Sequence, residues 1–444
     1  MSRKETIDNI DRFDRPQLDY DPDNLLDWEN RDLSNELIDL EHKPPGIDKP
    51  FLVITLVILL IGVIMVLSAS FARGYYMSSE PLRLFSRQLV FAVSGVALMF
   101  VTSRISVRTM SRWSMHLLLV SIVLLVLVLL IGVRVNGATR WIGLGGTDTS
   151  LRFQPSEVAK LALILAFAQM SCKLGKARMK TFKFGVLPFA LIAGVTIVLL
   201  RLQPHLSAII IITALTAIMM FVGGTRLRWF ALAVIILAAM VSGLIYFQMR
   251  SVAPDIEISD ISMDTIRDNF DFSGLGYEGR RINAWLNPDD DPLRDGFQIR
   301  QSLNAVGSGG LLGQGLGQSR QKHLYLPEEH NDYIFAIVCE ELGFIGAMLI
   351  LMLFVLLIIR GYWLAMNAKD KFGALIVIGI TSLLAIQVFL NVAVVTNLLP
   401  ATGISLPFFS YGGTALWIQL VQIGIILAVS REIPPAKETR RRYQ

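Results

Sequence analysis

The stretch "FLVITLVILLIGVIMVLSAS", residues 51–70, carries no charged side chain. A helix needs about 20 mostly apolar residues to cross the hydrocarbon of a bilayer, so this stretch reads as a membrane span. Working outward, nine further apolar segments lie near residues 88–103, 113–133, 156–171, 184–200, 206–223, 229–247, 333–359, 372–399 and 414–429. The whole chain agrees: 53% of its 444 residues are hydrophobic, 17% are charged and mean hydropathy is +0.54. Such a composition points away from a soluble globular domain. It predicts an all-α polytopic membrane protein with ten transmembrane helices. The two cysteines, Cys172 and Cys339, allow neither a disulfide framework nor a zinc spacing.

An even number of spans puts both termini on one side, and the distribution of basic residues says which. With a cytoplasmic N-terminus, short inner loops carry 13 lysines and arginines against 7 in short outer loops. The expected setting is therefore the bacterial cytoplasmic membrane, with both ends inside. Residues 1–49 hold 14 acidic and 7 basic side chains and no cleavable signal, which predicts an acidic, mostly disordered cytoplasmic tail. Residues 50–431 form the membrane domain, and residues 432–444 a basic cytoplasmic tail. Topology alone accounts for the positive loops, so no nucleic-acid partner is expected.

One connection is far longer than the rest. Residues 248–332 separate the seventh and eighth spans and fall outside the cell, and loops of that length are usually functional. No window in the loop fits G-x-G-x-x-G, which excludes nucleotide binding of that kind. It contains "NPDDDPLRDG", residues 287–296, where Pro288 and Pro292 press Asn287 and Asp291 towards extended geometry. Three aspartates thus sit on a stiff elbow. Crowded carboxylates resist ionising together, and one so tuned suits general-base work; a solvated acidic turn is the plainer alternative. Around the elbow lie Arg280, Arg281, Arg294, Arg300, Arg320 and Lys322, cations that suit a phosphate-bearing substrate or ordinary headgroup contact.

A second polar cluster is "NGATRWIGLGGTDTSLRFQPSEVAKLALI", residues 136–164. Pro155 and Ser156 read as a helix start, with Glu157 and Lys160 on one face of it. Ionisable residues inside a span are expensive and usually functional; mutual neutralisation is the other reading, and both stay open. Glu340 and Glu341 in the eighth span face the bundle interior or a wet cavity on the same grounds. The breaker-rich "LPATGISLPFFSYGGTALW", residues 399–417, predicts a re-entrant approach, allowed only where it is buried in protein or faces water. His205, His323 and His330 are not spaced as metal ligands and are expected to cap or hydrogen-bond.

Together "HLYLPEEHNDYIFAIVCEELGFIG", "LPFFSYGG", "GATRWI…QPSEVAK" and "LNPDDDP…GFQIRQSL" resemble the signatures of the SEDS family (shape, elongation, division and sporulation), over residues 50–431 in order. The "PATGISLPFFSYGG" wording and the acidic tail are more similar to its division branch than to its elongation branch. The resemblance implies a peptidoglycan glycosyltransferase that polymerises lipid II into β-1,4 glycan strands outside the membrane, at the division septum. Its implied partners are lipid II, a class B penicillin-binding protein transpeptidase and other divisome membrane proteins. It maps the family's required aspartate onto Asp291 and its charged pair onto Glu157 and Lys160. The sequence departs from many relatives at His205, where they carry an acidic residue, and at Arg294, where they carry glycine.

The implied reaction is one inverting displacement of undecaprenyl pyrophosphate. Asp291 would take the proton of the acceptor hydroxyl. Arg140, Lys160, Arg281 and Lys322 would stabilise the leaving charge, with Glu157 held by Lys160. No cofactor follows from these residues, although a divalent cation, Mg or Mn, could assist. The rivals are a lipid II flippase, whose path Glu157, Lys160, Glu340 and Glu341 would line, and an elongation or sporulation polymerase.

Overall fold

The computed structural model describes residues 46–135, 138–144, 151–252, 276–289 and 295–433. The chain enters the first helix at Asp48, whose carboxylate accepts from the Phe51 amide at 2.9 Å and so caps one of the orphan donors at the helix start. That helix, α1, runs Lys49–Ser78. It is followed by α2 (Arg83–Thr102) and α3 (Val107–Ile131). Three short strands come next: β1 (Val133–Val135), β2 (Ala138–Leu144) and β3 (Leu151–Phe153). They form an antiparallel sheet in the order β1-β2-β3, with Ile142 opposite Phe153 and Gly143 opposite Arg152. Hydropathy alone gives no sign of this sheet.

Then come α4 (Pro155–Met179), a one-turn helix Phe182–Gly185 leading into α5 (Leu187–Leu202), α6 (Leu206–Gly223) and α7 (Leu227–Val252). The long connection after α7 contributes α8 (Gly276–Leu286) and α9 (Asp295–Ser308). The chain closes with α10 (Ile334–Met366), α11 (Lys371–Val395) and α12 (Gly413–Arg431).

Nine of the described helices are long and apolar enough to cross a membrane. The tenth expected span falls on α7, whose apolar part is the shorter Leu227–Met240. The protein is an all-α polytopic membrane protein, as the hydropathy pattern predicts, with a small sheet added. Several helices outrun their apolar cores. α4 passes residue 171 through Lys173 to a break at Gly175, where φ is +70, and resumes through Lys176 and Arg178 to Met179, while α10 continues past Arg360 to Met366.

α4, α11 and α12 are the most enclosed spans and form the centre. They approach their neighbours through residues without side chains: a Cβ at Gly424 of α12 would strike Thr102 and Met99 of α2. In lipid, where apolar surface gains little by leaving its surroundings, such close backbone packing is a main source of helix association. One end of the bundle is fastened by polar contacts. Asp48 pairs with Arg360 at 2.6 and 3.2 Å, its amide donates to Ser430 Oγ at 3.2 Å, and Arg431 donates to the Ser103 carbonyl.

The longest helix is broken. Gly343 in α10 has φ +70, so the α10 ladder is interrupted there. The freed groups are met by the glycine-rich segment after α9. Phe344 and Ile345 donate to the Gly310 and Leu311 carbonyls at 2.9 and 3.1 Å, while Gln314 and Gly315 donate to Glu340 and Glu341 at 2.9 and 3.0 Å. Non-helical backbone at membrane depth survives only when protein or water satisfies it, and here the loop does so. The 399–417 segment obeys the same rule. Phe408 and Phe409 are buried, the Phe408 amide donates to Gln419 Oε1 at 3.0 Å, and the Leu406 amide donates to Ser410 Oγ at 2.7 Å.

Candidate functional site

Asp290, Asp291 and Arg294 lie outside the described residues, but the flanks of the elbow are fixed. Before it, α8 donates from Trp285 Nε1 to the Asn397 carbonyl at 3.0 Å and from Arg281 Nη1 to the Ala401 carbonyl at 2.9 Å. After it, Ser302 of α9 donates to the Val395 carbonyl at 2.8 Å. Both flanking helices are thus moored to the stretch that links α11 to α12. Asp289 is exposed and meets Arg300 at 3.4 Å, as a solvated neighbour would.

Arg281 shares its surroundings with a residue that the sequence pattern does not single out. A Cβ on Gly403 would stand 3.2 Å from Asp332 Oδ2 and 3.6 Å from Arg281 Nη1, and its φ of +73 favours glycine, so the backbone passes close under these two groups. Asp332 precedes α10, and its carbonyl is held by Asn391 Nδ2 at 2.8 Å. Part of Asp332 reaches the surface, yet the protein around its carboxyl group is the largest cause of a pKa raised to about 6. Glu328 pushes the same way, while Arg281, Arg140 and His330 oppose it. Its one sequence signal is that of an acid just ahead of an apolar run.

Arg140 reaches this region from β2, where it donates to the Pro204 carbonyl. β3 passes directly into α4 through Gln154, whose amide lies 3.5 Å from His205 Nε2. His205 sits where it would cap α6 but makes no side-chain cap bond. It is buried, and its pKa is well below the ordinary value, through burial first and then through Arg140 and Lys160. Glu157 and Lys160, one turn into α4, are buried and bonded to each other at 2.7 Å.

Of the expected substrate-binding residues, Arg281 and Arg140 therefore bear on Asp332, and Arg140 and Lys160, the latter bonded to Glu157, bear on His205. Lys322 does not join them. Its ammonium is buried against Glu341 at 2.9 Å and Ser68 at 3.3 Å. Glu341 also accepts from Ser68, and Glu340 accepts from Ser319 at 2.5 Å and from the Arg320 amide at 2.9 Å. The charges expected to line a transbilayer path are thus engaged with protein groups. His330 lies 3.5 Å from Glu329, and His323 rests against Tyr76. Among the described residues no three His, Cys, Asp or Glu side chains are grouped to hold a metal ion.

A family model for a cell cycle protein, FtsW/RodA/SpoVE, matches residues 49–434. The chain belongs to this family. Among FtsW/RodA/SpoVE relatives, it is 41% identical to stage V sporulation protein E of Bacillus subtilis, over 86% of this chain and 97% of that one. It is 38% identical to a probable peptidoglycan glycosyltransferase FtsW of Trichlorobacter lovleyi, over 89% of this chain and 96% of that one. In structure it matches, with a TM-score of 0.65 and 27% identity, a chain described under the structural coordination of polymerization and crosslinking by a peptidoglycan synthase complex. That match covers 90% of this chain and 99% of the other.

Proposed function

We propose that this protein is a peptidoglycan glycosyltransferase that polymerises lipid II into β-1,4 glycan strands on the outer face of the bacterial cytoplasmic membrane. The observation that carries the reading is 38% identity, over 89% of this chain, to a relative named a probable peptidoglycan glycosyltransferase FtsW. Arg281 and Arg140, whose charges bear on Asp332, support it.

Asp291 is the general base. It takes the proton of the acceptor hydroxyl as that oxygen attacks the anomeric carbon, and the bond to pyrophosphate breaks with inversion. Arg281 and Arg140 offer planar donors to the departing pyrophosphate, where developing charge is worth most in a site shielded from water. Lys160 is bonded to Glu157, so its role is to set the local charge. No step is assigned to a divalent cation, because the arginines already supply positive charge beside the acidic side chains described there.

Both termini face the cytoplasm on this reading, as the basic inner loops favour. A class B penicillin-binding protein is the proposed partner, supported by the likeness to a chain from a peptidoglycan synthase complex. The proposed place is the division septum. The identity to a sporulation protein favours, as the second reading, the same chemistry during spore formation.

Purified protein with lipid II and its transpeptidase tests the mechanism through Asp291→Asn. Loss of a general base costs about 10²–10⁴ in rate, with lipid II still bound. Glycan chains formed at the parent rate would overturn the assignment.

A further inference from the structure

At the fastened end of the bundle several cations are engaged by protein groups. Arg360 is neutralised by Asp48 at 2.6 Å, Lys371 donates to the Ser171 carbonyl at 3.3 Å, and Arg431 donates to Ser103. Lys176, Arg178, Lys180, Lys183, Arg226 and Arg228 are different. All six are exposed, and among the described residues none of them forms an ion pair. Residues 170–190 and 221–230, which carry them, contain no aspartate or glutamate.

These six cations stand on a single built surface. Thr225 Oγ1 donates to the Gly185 carbonyl at 3.1 Å, which ties the α6–α7 connection to the turn ahead of α5. The Phe182 and Trp229 rings meet at 5.1 Å across the same junction. Gly185 passes so close to the Met179 backbone that a side chain there would strike the Met179 carbonyl. Aromatic faces then position the charges. Arg178 and Lys183 lie 5.9 and 5.7 Å from the centre of the Phe184 ring, and Arg228 lies 4.7 Å from that of Trp229. Phe182, Phe184 and Leu227 remain exposed beside them, 40–68% open.

We propose that this face, formed by the end of α4, the turn Phe182–Gly185 and the α6–α7 connection, is a binding site for the headgroups of anionic phospholipids. Basic side chains interleaved with exposed aromatic rings, at the level where membrane helices end, match a phosphate layer above acyl chains. An acidic protein surface would meet the charges but would leave Phe182, Phe184 and Leu227 against water or polar groups. Lipid covers both. The bilayer is continuous with the apolar sides of the helices that carry the site, so the occupant is the membrane itself.

The test uses full-length protein in nanodiscs of phosphatidylglycerol and phosphatidylcholine, with spin-labelled phosphatidylglycerol to measure enrichment at the protein. One variant combines Lys176→Gln, Lys180→Gln, Lys183→Gln and Arg226→Gln. The comparator combines Arg104→Gln, Arg108→Gln and Arg112→Gln, exposed cations on and beside the α2–α3 turn at the same end. The first is expected to lose at least about fivefold in preference for phosphatidylglycerol, the worth of one charge at an anionic surface, while the comparator stays within about twofold of the parent. Added inorganic phosphate is expected to leave the preference unchanged, since headgroup and acyl chain are held together. Equal loss in both variants would overturn the proposal, because attraction would then belong to the whole inner charge; so would retained preference in the first. Should the fourfold variant melt early, single Lys180→Gln and Lys183→Gln variants each carry the same test, with a smaller expected loss.

Discussion

The Glu157–Lys160 pair is bonded at 2.7 Å with side chains only 9% and 3% exposed, and its two single removals are not equivalent. Cutting one partner from a buried pair leaves a bare charge and costs about 3–5 kcal/mol. Glu157 lies in the first turn of α4, where the helix presents its unpaired amides. That end favours an anion and disfavours a cation by about 1–2 kcal/mol in a partly buried setting. Lys160→Met leaves the carboxylate in that favourable field, so its net cost is about 1–4 kcal/mol. Glu157→Gln leaves the ammonium facing the same amides, and the full 3–5 kcal/mol is expected. The double variant removes both charges and should return to within about 1 kcal/mol of the parent. Thermal unfolding in detergent ranks the four proteins, and lipid II polymerisation is measured on each. A Glu157→Gln protein as stable as Lys160→Met, or more so, would refute the electrostatic account. The double variant also decides between the two roles open in the sequence. A stable but inactive protein shows that the pair serves the reaction, and a stable, active one shows that it only neutralises itself.

Asp332 should impose a pH dependence on substrate binding. Its carboxyl titrates at about 6, and once ionised it offsets Arg281 and Arg140, so KM for lipid II is expected to rise about fivefold from pH 5 to 7, roughly 1 kcal/mol of charge interaction. Asp332→Asn should flatten that rise, and a KM that still climbs in the variant would exclude Asp332 as its source. The raised value also sets the sign for stability: its contribution is whole below the ordinary 3.8 and is lost as pH climbs through about 6. Asp332→Asn should therefore melt higher than the parent at pH 7. At Gly343 the φ of +70 and the nearness of the Gly313 amide and Leu311 carbonyl leave no room for a methyl group. Gly343→Ala is expected to cost more than about 2 kcal/mol, whereas Gly307→Ala, with open space around it, should be neutral in the same melting assay.

The membrane architecture was legible because a span must satisfy its own backbone and so needs a long apolar run. Helix ends were less legible. α10 continues through Arg360 once outside the hydrocarbon, where charge no longer stops a helix, while α4 breaks at Gly175 before its last two basic residues. The Gly343 break was hidden inside a span that hydropathy reads as continuous despite Glu340 and Glu341, and its trace was the glycine-rich run upstream that repairs it. Arg140 and Arg281 could each be picked out as cations near polar motifs. That one comes from a strand and the other from a loop helix, and that both face Asp332, depends on contacts between distant segments. Lys322 shows the limit of that reasoning, since a lysine beside the elbow in sequence is spent on Glu341 in space.

The repair of α10 also makes chain length a structural quantity. From Gly310 to Gly315, four backbone groups are matched to backbone groups of Phe344, Ile345, Glu340 and Glu341, and each of these partners is specified by position rather than by type. One residue added or removed there would shift every later partner by a step. Surface connections usually absorb such changes freely. This one should tolerate insertion as poorly as a strand in the middle of a sheet, although it lies at the edge of the molecule.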